Sequence, residues 1–125
     1  MADVRREDTA PELLVRSALA RSGLRFRVRN RDLPGSPDIA NRSKHWAVFV
    51  HGCYWHRHPG CKRATTPKRN AEFWLAKFEA NVRRDARAKA ELEQLGFRVF
   101  TIWECVAEQP RRLQRVVSSV RKLSC

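Results

Sequence analysis

The amino-acid sequence predicts a mixed α/β fold. Three observations carry that reading. Residues 46–50 form an apolar run of the kind a buried strand shows. Residues 97–103 form a second, rich in β-branched side chains. The segments before, between and after them carry apolar residues at three- and four-residue spacing, the helical period. At 125 residues the chain is about one domain long, enough for a single core and too short for two. Residues 1–125 are therefore read as one domain, with 1–7 as a short N-terminal arm.

Each element follows from local signals, taken in chain order. Thr9-Ala10-Pro11-Glu12 has the form of a capping box, with Thr9 as N-cap, Pro11 in the first turn and Glu12 reaching back. Leu13, Leu14, Ala18 and Leu19 are expected to supply the buried stripe of the helix that follows, and Gly23 to end it. Residues 24–30 alternate Leu24, Phe26 and Val28 with arginines, the pattern of a strand with one wet, basic face. Leu33-Pro34-Gly35-Ser36-Pro37 is a turn leading into a second short strand, with Asp38 at its mouth. A polar turn over 41–44 joins that strand to the apolar run at 46–50 as a hairpin.

Gly52 and Pro59-Gly60 make the next segment a loop, and residues 62–70 are basic and exposed. From 71 to 95 the pattern is helical, through Trp74, Phe78, Val82, Asp85, Lys89 and Leu92, and Gly96 stops it. Residues 97–103 are the last strand. A basic amphipathic helix over about 110–123 closes the chain.

Charge narrows the partner. The 26 Lys and Arg against 13 Asp and Glu give a net charge of +13 and a pI near 11.0. That excess is more than solubility needs and favours a polyanion, most often nucleic acid, over a merely solvated basic face. No stretch approaches the roughly 20 apolar residues of a membrane span, and the charged N-terminus is unlike a signal peptide. A cytoplasmic protein without a membrane partner is expected. In a reducing compartment its 4 cysteines read better as metal ligands than as disulfides.

The chemistry concentrates between His45 and Cys61. Cys53, His58 and Cys61 form C-x4-H-x2-C in a loop, and Cys105 follows the last strand. Thiolate and imidazole are the donors zinc prefers, and structural zinc sites close with four of them. His51 and His56 remain after that assignment, as candidates for acid–base chemistry. Asp38 is placed as a carboxylate ligand of Mg2+ would be, although a turn-forming Asp after Pro37 explains it equally well. A capping role suffices for Glu12. Asp85 shares a helix face with apolar residues, so it should meet a cation, a histidine or a metal-bound water. Tyr54 and Trp55 fit two readings equally, as core side chains or as a wedge that stacks on bases.

Together, Asp8-Thr9-Ala10-Pro11-Glu12, Leu33-Pro34-Gly35-Ser36-Pro37-Asp38, Phe49-Val50-His51-Gly52-Cys53-Tyr54-Trp55-His56, Phe73-Trp74, residues 81–85 and Trp103-Glu104-Cys105 resemble the very short patch repair (Vsr) DNA mismatch endonucleases. The resemblance implies a restriction-endonuclease-like single domain, a central mixed β-sheet flanked by helices, with a structural zinc site. It also implies Mg2+-dependent nicking of double-stranded DNA, 5′ to the thymine of a T:G mismatch left by deamination of 5-methylcytosine.

Carried over by position, the resemblance makes Asp38 the Mg2+ ligand with the Val50 main-chain carbonyl. His56 becomes the base, His51 a second catalytic histidine, and Glu12 and Asp85 supporting acids. Cys53, His58, Cys61 and Cys105 become the zinc ligands, and Tyr54 and Trp55 the inserting aromatic pair. Monomeric action and a functional link to a cytosine-5 DNA methyltransferase are further implications. Two departures stand out: Ser36 occupies a turn position where the family commonly has arginine, and the arm ahead of Asp8 is short. Two alternatives stand beside the repair reading: a Vsr-like endonuclease of restriction or defence without strict T:G specificity, and a zinc-stabilised DNA-binding module.

Overall fold

A computed structural model describes residues 8–124, with the side chains of 123 and 124 left aside. The arm over 1–7 and Cys125 lie outside the described residues. The elements run α1 (Ala10–Arg21), β1 (Arg27–Val28), β2 (Ile39–Asn41), β3 (Trp46–His51), α2 (Ala71–Gln94), β4 (Arg98–Trp103), α3 (Glu104–Ala107) and α4 (Pro110–Ser124). The four strands form one sheet in the order β1-β2-β3-β4. β1, β2 and β3 pair antiparallel, and β3 pairs parallel to β4, so the sheet is mixed as expected.

Side-chain alternation along β3 assigns the two faces. Trp46 and Val48 point into a core shared with Val15 and Leu19 of α1, Ile102 of β4 and Val117 and Val120 of α4. Ala47 and Phe49 point the other way, against Ala88 and Leu92 of α2. Helices therefore cover both faces, the arrangement that parallel pairing requires. By the same parity His51, at the end of β3, lies on the α2 side of the sheet.

α1 starts as predicted at Thr9, whose side chain accepts from Glu12 N at 3.4 Å. The return bond differs: Glu12 Oε2 accepts from Asp8 N at 3.0 Å, one residue before the N-cap. The buried stripe also differs, being Glu12, Val15, Ala18 and Leu19, while Leu13 and Leu14 are exposed. Spacing of three and four places Glu12 on the inward face and turns the adjacent leucines away from it.

Both long turns out of helices close in the Schellman manner. Leu24 N donates to Leu19 O and Phe97 N to Leu92 O, with Gly23 and Gly96 at positive φ. That closure, together with the left-handed Arg29, shortens the strand predicted over 24–30 to Arg27–Val28. Val82, counted in the α2 stripe, is exposed. Beyond the end of β4 the chain coils into the four-residue α3, an element the sequence pattern did not suggest.

Candidate active site

The turn that delivers Asp38 is built on Asn30, which is 1% exposed. Asn30 Nδ2 donates to Arg27 O at 2.8 Å and to Pro37 O at 3.1 Å, which pins the two ends of the turn together. Gly35, at φ +72°, presses so closely on α2 that a Cβ there would lie 2.3 Å from the Cβ of Ala88. The turn carrying Asp38 is thereby seated one helical turn from Asp85.

Asp38 Oδ2 accepts from Val50 N at 2.7 Å. In an antiparallel strand pair a residue's N–H and carbonyl serve the same side, so the Val50 carbonyl borders Asp38 as well. Burial pushes the Asp38 pKa up to about 7, and the neighbouring Glu12 carboxylate adds to the rise, while the Val50 bond and His56 oppose it. Glu12 is 4% exposed and bonded to Arg16 at 3.1 Å.

His51 and His56 line the same cavity, their rings stacked at 3.9 Å between centroids and 3° between planes. His56 donates through Nδ1 to Asp85 Oδ2 at 2.7 Å, and His51 Nε2 lies 4.0 Å from Asp85 Oδ1. Burial lowers the His51 pKa to about 4, helped by a charge on His56 and opposed by Asp85, so His51 is neutral at pH 7. The expected partner of Asp85 is thus a histidine. Glu12, Asp38, Val50, His51, His56 and Asp85 line one cavity of about 500 Å³, with Tyr54 and Trp55 on its wall.

The loop after β3 curls through successive tight bonds, among them His56 N to Gly52 O, His58 N to Cys53 O and Cys61 N to His58 O. The curl brings Cys53, His58 and Cys61 together, and Cys105 reaches them from α3. Their four donor atoms lie within 4.8 Å of one another. His58 Nδ1 is 3.6 Å from Cys53 Sγ and 3.5 Å from Cys105 Sγ. Burial pushes the Cys53 thiol up to about 12. Three thiols and an imidazole converging there fit a metal cation, whose charge would ionise the thiols.

Three residues of the site have no role assigned from the sequence, although Trp103 and Glu104 stand in one of the motifs that carry the resemblance. Arg57 staples the loop: its guanidinium donates to Thr65 O at 2.8 Å and Ala64 O at 3.0 Å, and sits 4.2 Å from the Phe78 ring centroid. Trp103 lies between the clusters, stacked on His58 at 4.3 Å and edge-on to His51 at 5.4 Å. Glu104 accepts from Cys53 N at 3.2 Å. Adjacency was the available signal, since Arg57 falls between two histidines and Trp103-Glu104 precedes Cys105. Tyr54 and Trp55 are half-buried against α2, Tyr54 edge-on to Phe78 at 5.3 Å and Trp55 6.3 Å from both Trp74 and Phe78.

The His51, His56 and Asp85 donors also converge closely enough to hold a metal. Two nitrogens and one oxygen suit a transition ion better than Mg2+, which prefers oxygen. Asp38, Glu12 and the Val50 carbonyl are the hard-oxygen set.

The profile of the family described as "DNA mismatch endonuclease Vsr" matches residues 1–63. The "Type II nicking enzyme V.XorIIP" of Xanthomonas oryzae pv. oryzae is 47% identical over 105 residues, 84% of this chain and 76% of that relative. The "Type II nicking enzyme V.NmeAIP" of Neisseria meningitidis is 37% identical over 125 residues, 97% of this chain and 89% of that relative. The "DNA mismatch endonuclease Vsr" of Escherichia coli is 40% identical over 113 residues, 90% of this chain and 72% of that relative. With the motifs of both clusters placed in the folded chain and relatives matched along most of its length, this protein belongs to the Vsr family of DNA mismatch endonucleases.

Proposed function

We propose that this chain is a Mg2+-dependent endonuclease that nicks double-stranded DNA 5′ to the thymine of a T:G mismatch arising from 5-methylcytosine deamination. The observation that carries the reading is one cavity lined by the buried Glu12 and half-buried Asp38 carboxylates together with the stacked histidine pair, of which His56 is held by Asp85. A net charge of +13 suits a DNA substrate. The names of the relatives, nicking enzymes and a mismatch endonuclease, point the same way.

His56, with Nδ1 committed to Asp85, offers Nε2 as the base that takes a proton from the attacking water. Asp85 holds the ring's tautomer and stabilises the imidazolium that forms. His51, kept neutral by burial, braces His56 face to face and has a ring N–H to donate to a phosphate oxygen. Water oxygen attacks phosphorus, the opposite phosphorus–oxygen bond breaks, and the leaving oxygen takes up a proton. Mg2+ held by Asp38 and the Val50 carbonyl, with Glu12 alongside, would neutralise charge developing on the phosphate.

Tyr54 and Trp55, backed by Phe78 and Trp74, are assigned to stacking beside the mismatch. In this reading Zn2+ occupies Cys53, His58, Cys61 and Cys105 and holds the loop without reacting. The chain acts as a monomer, because one nick needs one site, and it serves sequences modified by a cytosine-5 methyltransferase.

The test is cleavage of end-labelled duplexes that differ only in T:G, C:G or 5-methyl-C:G at one position, with and without Mg2+. A single Mg2+-dependent nick beside the thymine of T:G alone is the expected result. Cleavage of matched or methylated duplex would move the protein to restriction, and binding without cleavage would refute the nuclease assignment.

A further inference from the structure

Beside the cavity of the two histidines lies a second, of about 580 Å³, ringed by Arg16, Arg29, Arg31 and Arg84. The two cavities share Glu12, Ser36, Asp38 and Arg84, so Arg84 is the one Lys or Arg lining both among the described residues. The four arginines arrive from three parts of the chain: Arg16 from α1, Arg29 and Arg31 from the segment between β1 and β2, and Arg84 from α2.

They are not equivalent. Arg16 is used inside the protein, spanning Asp8 at 2.7 Å and Glu12 at 3.1 Å. Arg29 pairs with Asp8 and sits at φ +55°, in the left-handed region. Arg83, the neighbour of Arg84, is taken up by Glu79 one turn earlier on the solvent face. Arg84 itself has no ion pair or hydrogen bond among the described residues.

Asp8 and Glu12 already offset the charge of Arg16 and Arg29, which leaves Arg84 as the guanidinium on this cavity that an incoming anion would engage. Arginine's planar fork matches a phosphate with two parallel bonds. Successive phosphates of one DNA strand rise only about 3.4 Å apart along the helix axis. A strand whose scissile phosphate faces Asp38 would bring a flanking phosphate within reach of the adjoining cavity, because the two cavities share Asp38, Ser36 and Arg84.

We infer that Arg84, with Arg29 and Arg31 across the cavity and the Ser36 hydroxyl at its edge, forms a second phosphate subsite that holds a phosphate flanking the scissile one. The inference rests on the nuclease reading above, since it takes Asp38 as the marker of the scissile position. Its role is register. A phosphate fixed beside the cut aligns the next one with His56, so binding energy taken at the subsite goes into positioning.

The experiment uses full-length, zinc-loaded protein and T:G duplexes in which single phosphates, one to three positions either side of the nick, are replaced by neutral methylphosphonate. Wild type should lose about tenfold in kcat/KM, equivalent to about 1.4 kcal/mol, when one particular flanking phosphate is neutralised. Arg84→Gln should be slower on unmodified duplex by a similar factor and indifferent to that same methylphosphonate. Its plot of log binding constant against log salt should be shallower by about 0.9, the contribution of one phosphate contact. Arg84→Lys should restore the salt slope while regaining only part of the rate, because it keeps the charge and loses the fork.

Arg84→Gln with an unchanged salt slope, or with wild-type sensitivity to every neutralised phosphate, would overturn the subsite. Failure of the wild type to nick any duplex would instead defeat the nuclease reading. The salt slope of Arg84→Gln binding would still decide whether Arg84 holds a phosphate.

Discussion

Replacing Asp38 with asparagine should make the Mg2+-free protein more stable while destroying its activity. In the folded chain the Asp38 pKa rises from 3.8 to about 7, chiefly through burial and then through Glu12. A raised carboxyl pKa means that the native state binds the proton more tightly than the unfolded one. Its stabilising contribution is then complete below pH 3.8 and lost as pH climbs to about 7. At about 1.4 kcal/mol per pH unit the span allows a loss of up to about 4 kcal/mol, and relaxation of the site makes 2 to 4 kcal/mol a fair range.

Asparagine keeps the shape. Its oxygen can accept from Val50 N and its amide can donate to Glu12, with no charge to bury. Urea unfolding of zinc-loaded protein in Mg2+-free buffer should give equal stabilities near pH 4. At pH 8, Asp38→Asn should lead by about 2 to 4 kcal/mol, and added Mg2+ should close the gap by stabilising the wild type alone. The reasoning is refuted if Asp38→Asn is the less stable protein at pH 8, or if the difference does not change with pH.

Three further outcomes follow from the same geometry. His56→Ala should lower the nicking rate about 10²- to 10⁴-fold, the usual worth of a general base, with duplex affinity by gel shift nearly unchanged. Gly35→Ala should destabilise the fold by about 1–3 kcal/mol in urea titrations, because its Cβ meets Ala88 Cβ at 2.3 Å and its φ of +72° disfavours a side chain. Arg57→Ala should cost at least about 2 kcal/mol, since the guanidinium holds Thr65 O, Ala64 O and the Phe78 ring in one grip. Thermal unfolding of zinc-loaded protein would measure it, and a loss under about 0.5 kcal/mol would show that the staple is incidental.

Most of the sheet was legible because β3 and the helices carry their period in plain apolar residues, and because glycine marks both helix ends at Gly23 and Gly96. β1 was overread. Leu24 and Phe26 do alternate with arginine, but Leu24 is spent closing α1 and Arg29 leaves the extended region. The α1 stripe is legible only in its second half: Ala18 and Leu19 are buried as expected, but hydropathy favours Leu13 and Leu14 where tertiary packing selects Val15 and buries Glu12.

The four-donor cluster could be read from ligand type alone, and the structure converges the four residues named for it. The pairing of His56 with Asp85 could be anticipated only as a need for some partner, because a separation of 29 residues is closed by the sheet and α2, and neither is a local signal. Arg84 was invisible for a simpler reason. In a chain with 26 Lys and Arg, a single arginine is informative only once its neighbours in space are known.

Trp103 ties the two clusters of the site together. One face of its ring rests on His58 and its edge meets His51, so the same side chain backs a ligand of the thiol cluster and a member of the cutting cavity. Oxidation of Cys53, Cys61 or Cys105, or removal of a metal ion bound among them, would release His58 and take away the support behind Trp103. We expect such damage to slacken His51 first, and chelation followed in time should abolish nicking before the sheet's far-UV signal falls.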